Sequence, residues 1–152
     1  IAGEGAAFFL LAKEPAASDY AKLDGISTIY KPESITHIEQ NILSFLEDHS
    51  VSLNDIDLVI TGRNGDVDSD NLFDQLESSV FNNNTSTDYK HLCGDYPTAT
   101  GFALWLAANI LKTGELPAVL NNKNSNGNKV KRILIYNHYQ GIHHSLLLVS
   151  AC

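Results

Sequence analysis

At 152 residues and 43% hydrophobic, the chain is long enough for one domain with a substantial core and too apolar to be disordered. Eighteen acidic against ten basic residues give a formal charge of −8, a field that repels phosphate backbones and anionic lipid, so neither nucleic-acid binding nor membrane association is expected. No apolar run reaches the ~18 residues needed to cross a bilayer, and Cys93 and Cys152 carry no pairing motif, which fits a cytoplasmic protein with reduced thiols.

The chain holds no Met and no targeting signal, and it opens on Ile1-Ala2-Gly3-Glu4-Gly5; a fragment or excised domain is expected. Residues 6–12, Ala6-Ala7-Phe8-Phe9-Leu10-Leu11-Ala12, are predicted as a first strand, apolar on both faces and therefore central in a larger fold. Pro15 and the Ser18-Asp19 pair mark a turn, and Ser27-Thr28-Ile29-Tyr30 reads as a short strand antiparallel to the first. Pro32-Glu33-Ser34 starts a helix with Ile35, Ile38, Ile42, Phe45 and Leu46 on one face. A loop over 51–55 precedes Ile56-Asp57-Leu58-Val59-Ile60-Thr61, a run of the parallel-strand kind. Gly62-Arg63-Asn64-Gly65-Asp66 follows at that strand's C-terminal end, where ligands bind in open α/β sheets.

Asp68 or Ser69 is predicted to cap the next helix, which carries Leu72, Phe73, Leu76 and Val80. After a polar loop, residues 90–101 form a tight stretch feeding small residues into a strongly apolar helix. Pro97 is placed in its first turn, and its end is marked by Lys112-Thr113-Gly114. That helix is apolar nearly all round and is predicted to be buried. The Asn-rich run 121–128 reads as a mobile surface excursion. Arg132-Ile133-Leu134-Ile135-Tyr136 and Ser145-Leu146-Leu147-Leu148-Val149-Ser150 are two buried strands joined by a hairpin over 137–144. The predicted order is β-β-α-β-α-α-β-β, a layered α/β domain with a mixed sheet and no second domain.

Three loops, 62–66, 90–101 and 137–144, fall at strand ends or a helix start and form a site if they converge. His138, His143 and His144 raise the question of a metal, but their spacing matches no zinc motif, and no metal is expected. Asp66, Asp68 and Asp70 alternate like the start of a calcium loop but lack the Gly and Glu that should follow. Cys93 reads either as a thiol activated near a helix start or as a buried structural cysteine.

Gly3-Glu4-Gly5-Ala6-Ala7 ahead of a strand resembles the beginning of the C-terminal half of the β-ketoacyl-acyl-carrier-protein synthases, of thiolase-like fold. The 90–101 stretch is similar to their Lys-x-x-x-Gly-His-x-x-Gly-Ala-x-Gly signature, with Lys90, Gly94, Ala99 and Gly101 matching. The resemblance covers essentially the whole chain as a single domain. It implies one half of a pseudo-duplicated fold, whose N-terminal half would supply the nucleophilic cysteine.

At the signature's histidine this chain has Asp95, and at the family's other catalytic histidine it offers Gly62 or Arg63. The Gly-Phe-Gly-Gly gate falls on His138-Tyr139-Gln140-Gly141-Ile142-His143. Two histidines in that family stabilise the thioester oxyanion and assist decarboxylation of the malonyl unit. An imidazole can donate to a forming oxyanion, whereas an ionised carboxylate repels it. The resemblance with these departures implies a non-catalytic, chain-length-factor-like subunit in fatty acid, polyketide or polyene biosynthesis. The alternatives are an active condensing enzyme in which His143 or His144 replaces a lost histidine, and a binding module that keeps only the fold. Lys90, Asp95, His143 and His144 are the expected site of chemistry, and Gly62, Arg63, Tyr96, Thr98, Thr100 and Tyr139 the expected substrate channel. The implied partners are an acyl carrier protein, the N-terminal half, and a second subunit in a homodimer or in a heterodimer with an active ketosynthase. No cofactor is implied, and the chain alone is not expected to be active.

Overall fold

The structure, a computed structural model, describes residues 2–120 and 129–152. The Asn-rich run 121–128 lies outside the described residues. Five strands, β1 (Lys22–Tyr30), β2 (Leu58–Thr61), β3 (Ser86–Asp88), β4 (Arg132–Tyr139) and β5 (His143–Ser150), form one sheet in the order β1-β5-β4-β2-β3. β5 runs antiparallel to both its neighbours, and β2 is parallel to β3 and β4. β1, β4, β2 and β3 therefore all end at the same edge of the sheet.

Helices α1 (Ile35–Asp48) and α2 (Val67–Ser78) cover one face, and α4 (Ala99–Thr113) covers the other; α3 (Lys90–Cys93) is a single turn beside β3. Strand alternation divides the core. Leu134, Tyr136, Leu146 and Leu148 meet α1 and α2, while Ile133, Ile135, Leu147 and Val149 meet α4. All four residues of β2 are buried, as an apolar run between two parallel neighbours requires. In α1 the Ser34 side chain accepts the His37 N–H at 3.2 Å, and Ile38, Ile42, Phe45 and Leu46 form the predicted buried face. α4 ends on Gly114 at φ 76°, whose N–H donates to the Ile110 carbonyl.

Several expectations are corrected. Residues 6–12 are not a strand: they lie outside the sheet, with Phe8 92% and Leu10 99% exposed. Their two-faced apolar pattern demands a neighbour on each side, and the five-stranded sheet closes without them. Ser27–Tyr30 is the end of the longer edge strand β1, and it pairs with β5 rather than with residues 6–12. β3 and α3 are elements that the polar composition of 82–93 conceals. The cap position of α2 falls on Asp66, and Asp68 and Asp70 enrich the first turn, where the helix dipole favours anions. Pro97 lies ahead of the Thr98 cap, outside the helix. α4 buries one face, through Ala99, Ala103, Leu106, Ala107, Ile110 and Leu111, and leaves Trp105 48% exposed. The hairpin loop shrinks to 140–142: Gln140 and Gly141 are both left-handed and the Ile142 N–H donates to the Tyr139 carbonyl at 3.1 Å.

Candidate functional site

The three loops singled out in the sequence converge beyond the C-terminal strand ends. They wall a cleft of about 300 Å³ whose lining includes Gly62 and Asn64 after β2, Lys90 after β3, Asp95 and Tyr96 before α4, and His138 and Tyr139 at the end of β4. Lys90 points inward from α3 with its side chain only 4% exposed, and its Nζ lies 2.8 Å from Asp95 Oδ1. Asn64 Nδ2 donates to the other carboxylate oxygen, Oδ2, at 2.9 Å. Burial raises the pKa of Asp95, but the Lys90 and Asn64 hydrogen bonds and the Lys90 charge outweigh it and hold the carboxyl below its usual range. Asp95 is therefore ionised at neutral pH.

Gly94 at φ 80° makes the turn that swings Asp95 back over Lys90. It also lets the N-terminal segment approach: Gly3 packs on Gly94, and the Gly3 N–H donates to the Asp95 carbonyl at 3.2 Å. On the other wall, a Cβ at Gly62 would overlap Asn137 Oδ1, and Asn137 Nδ2 donates to Thr100 Oγ1 at 2.9 Å. Asn137 thus fills the room that a side chain at position 62 would need.

The hairpin histidines separate. His138, on the α2 side of β4, stacks on Phe73 at 4.8 Å and accepts the Gly141 N–H on Nδ1 at 3.1 Å. Its Nε2 lies 3.2 Å from the Ser69 carbonyl, which the Nε2–H tautomer donates to. Burial, with a smaller effect from His144, pushes its pKa down to about 4, so it is neutral. His144 is buried behind it, Nδ1 at 2.8 Å from the Tyr136 hydroxyl, and burial lowers its pKa. His143 alternates to the opposite face, exposed against Tyr30 with ring centroids 5.1 Å apart. Neither His143 nor His144 is among the residues that line the cleft.

Of the expected channel residues, Gly62, Tyr96 and Tyr139 line the cleft. Thr98 is exposed at the α4 cap, and Thr100 stands behind the wall, bonded to Asn137. Arg63 turns away toward α2, with Nη2 at 2.7 Å from Asp74 and 2.8 Å from Glu77. Beside it Thr61 Oγ1 donates to Asp88 at 2.6 Å. Cys93 closes α3 rather than starting a helix, and burial pushes its thiol up, so it is not activated. Asn64 was not foreseen; its one sequence signal is its place in the loop after β2.

Chemically, the cleft presents a fixed ion pair and a neutral, fully engaged imidazole. Asp95 can accept hydrogen bonds but cannot donate one to a developing oxyanion.

No protein-family model and no curated protein matches the sequence. Solved structures do match the fold. The chain is similar to the ishigamide ketosynthase/chain length factor at 14% identity with TM-score 0.72, covering 88% of this chain and 38% of that one. It is similar to the PfaC keto synthase–chain length factor at 18% identity with TM-score 0.66, covering 91% of this chain and 14% of that one. A third similar structure is a type II polyketide acyl-carrier protein in complex with its ketosynthase bound to the hexaketide, at 14% identity with TM-score 0.60, covering 88% of this chain and 34% of that one. The chain thus has the thiolase-like α/β fold of ketosynthases and spans well under half the length of these structures.

Proposed function

We propose that this chain, with the ketosynthase fold as premise, is the C-terminal half of a divergent β-ketoacyl-acyl-carrier-protein synthase-like protein that works as a non-catalytic, chain-length-factor-like subunit. The observation that carries this reading is the Asp95–Lys90 pair, a fixed carboxylate at the position that the resemblance gives to an oxyanion-donating histidine. Losing one such donor costs ~100- to 1000-fold in rate, and the second position offers either Gly62, with no side chain, or Arg63, whose guanidinium is engaged by Asp74 and Glu77. Acyl carrier protein is the proposed partner, in keeping with the ketosynthase complex named above.

The outer side of α4 supports a second half-domain as cover. The N-terminal segment runs along that helix: a Cβ at Gly101 would stand 3.7 Å from the Ala7 Cβ, and Lys112 Nζ donates to the Ala17 and Asp19 carbonyls. Between those ties lie Phe8, Leu10, Leu11 and Trp105, all exposed. An apolar surface of this kind marks an interaction site. We assign it to the N-terminal half of the same fold, and the assembled protein to a homodimer or a heterodimer with an active ketosynthase. Among the described residues no helix is long and apolar enough to cross a membrane; two free cysteines favour a reducing, cytoplasmic setting.

The test is condensation by the full-length protein supplied with malonyl and acyl carrier proteins. We expect no product from it alone, and an altered product length when an active ketosynthase is present. Condensation at ordinary ketosynthase rates would refute the non-catalytic reading in favour of the active-enzyme alternative.

A further inference from the structure

The cleft holds a buried cation whose hydrogen-bonding capacity is unspent. An ammonium has three donors. Among the described residues Lys90 Nζ has one partner, Asp95 Oδ1 at 2.8 Å, although its side chain is 4% exposed. Lys90 lines the cleft, so its two remaining N–H groups are available to an acceptor that enters there. An oxygen-bearing ligand can meet them.

The charge balance decides which oxygen. Asp95 sits on Lys90 and is fixed there by Asn64, so the cation is already neutralised. Asp66 adds a second carboxylate to the lining, and His138 is neutral with both ring nitrogens engaged. An incoming carboxylate meets one compensated cation and two carboxylates. An incoming carbonyl meets free donors and brings no charge.

We infer that this cleft accepts a neutral acyl carbonyl on Lys90 and rejects an acyl group that ends in a carboxylate. The inference rests on the ketosynthase-like reading above and narrows it: the site takes the acyl chain and excludes the malonyl-type unit.

Two probes of near-equal size separate the cases, isovaleryl-N-acetylcysteamine and malonyl-N-acetylcysteamine, titrated into the full chain at neutral pH and followed by NMR shifts of the Tyr96 and Lys90 signals. Isovaleryl thioester is expected to bind roughly tenfold or more tightly than malonyl, the scale of one unscreened like-charge contact in a partly buried site. Asp95→Asn uncovers the cation and should reverse the order. Malonyl binding as tight as isovaleryl in the unmodified chain, or neither probe binding, overturns the inference. That comparison needs no variant, so an Asp95→Asn protein that fails to fold does not remove the test. The outcome is also separable from the condensation assay: an active enzyme that still prefers the neutral probe sinks the non-catalytic reading alone, and an inactive one without the preference sinks this inference alone.

Discussion

Replacing Asp95 by Asn strips the counterion from a lysine whose side chain is 4% exposed, while the Asp95 side chain itself is 29% exposed to the cleft. Breaking a buried ion pair from one side costs ~3–5 kcal/mol, because the remaining charge stays buried without compensation. Since water reaches Asp95, the low end applies, about 3 kcal/mol. At 152 residues that corresponds to a drop in Tm of roughly 6–12 °C. Lys90→Met is cheaper, about 1 kcal/mol, because the carboxylate it orphans keeps Asn64 and can reach solvent. The double variant Lys90→Met/Asp95→Asn removes both charges and lets two amides pair at positions 64 and 95. It should lie within about 1 kcal/mol of the parent, since removing a buried pair together is often neutral. Urea unfolding of the four proteins gives the coupling energy directly, expected at about 3 kcal/mol. A double variant as unstable as the sum of the singles would show that the pair does not behave as one unit, and the account of Lys90 as a compensated cation would fail.

The remaining predictions touch other parts of the site and its cover. His138 has its pKa pushed from 6.5 to about 4, so the unfolded chain takes up its proton first as pH falls; stability should decline between about pH 6.5 and 4, by up to about 3 kcal/mol, and His138→Gln should flatten that slope in pH-dependent unfolding. Asp95, whose pKa is depressed, contributes stability above the unfolded carboxylate value of about 3.9 and loses it only in stronger acid, as pH falls through the folded value. Gly62→Ala drives a methyl into Asn137 Oδ1 and should cost about 1–3 kcal/mol; adding Asn137→Ala should recover part of that, and a fully additive loss on thermal unfolding would put the clash elsewhere. Trp105→Ser on the open side of α4 should change stability by about 0.5 kcal/mol or less, yet weaken association with the proposed N-terminal half, produced separately, in a pull-down.

What the sequence disclosed follows from where each signal is local. The α1 face, the β2 run and the Gly114 stop are set by side chains a few residues apart, and each lies where the pattern puts it. The strand-end loops were legible as a site because sheet topology, rather than any one motif, brings them together. β3 escaped because Ser86-Thr87-Asp88 carries no apolar signal: its place is set by the parallel ladder with Val59, Ile60 and Thr61 and by the Thr61–Asp88 bond. The partition of the three histidines depended on strand lengths. Had the hairpin loop spanned 137–144, all three would have been free to face the cleft; with β4 running to Tyr139 and β5 starting at His143, alternation sends His143 to the opposite face from His138 and His144.

The misplaced first strand carries the most physical content. Residues 6–12 have the composition of a central strand and none of its pairing, and Phe8, Leu10 and Leu11 are more than three-quarters exposed. The same surplus appears on α4, which is apolar all round in sequence but buried on one side in the structure. Both errors share one cause, since the pattern reports what a segment needs to bury and the fold of this chain can bury only part of it. They also share one location, because the segment lies along α4 and ends its glycine-rich approach on the Asp95 carbonyl. The surface at Phe8 to Leu11 and Trp105 is therefore connected by continuous backbone to the loop that holds the Lys90–Asp95 pair. Binding of the proposed second half-domain at that surface should accordingly be felt at the cleft, and Gly3→Ala, which forces Gly3 off Gly94, should shift the NMR signals of Lys90 and Asp95 even though neither side chain is altered. A destabilising change remote from that seam, such as Leu76→Ala in the α2 core, should lower Tm without moving them. If Gly3→Ala leaves the Lys90 and Asp95 signals in place, the segment is a passive wrap and the connection does not exist.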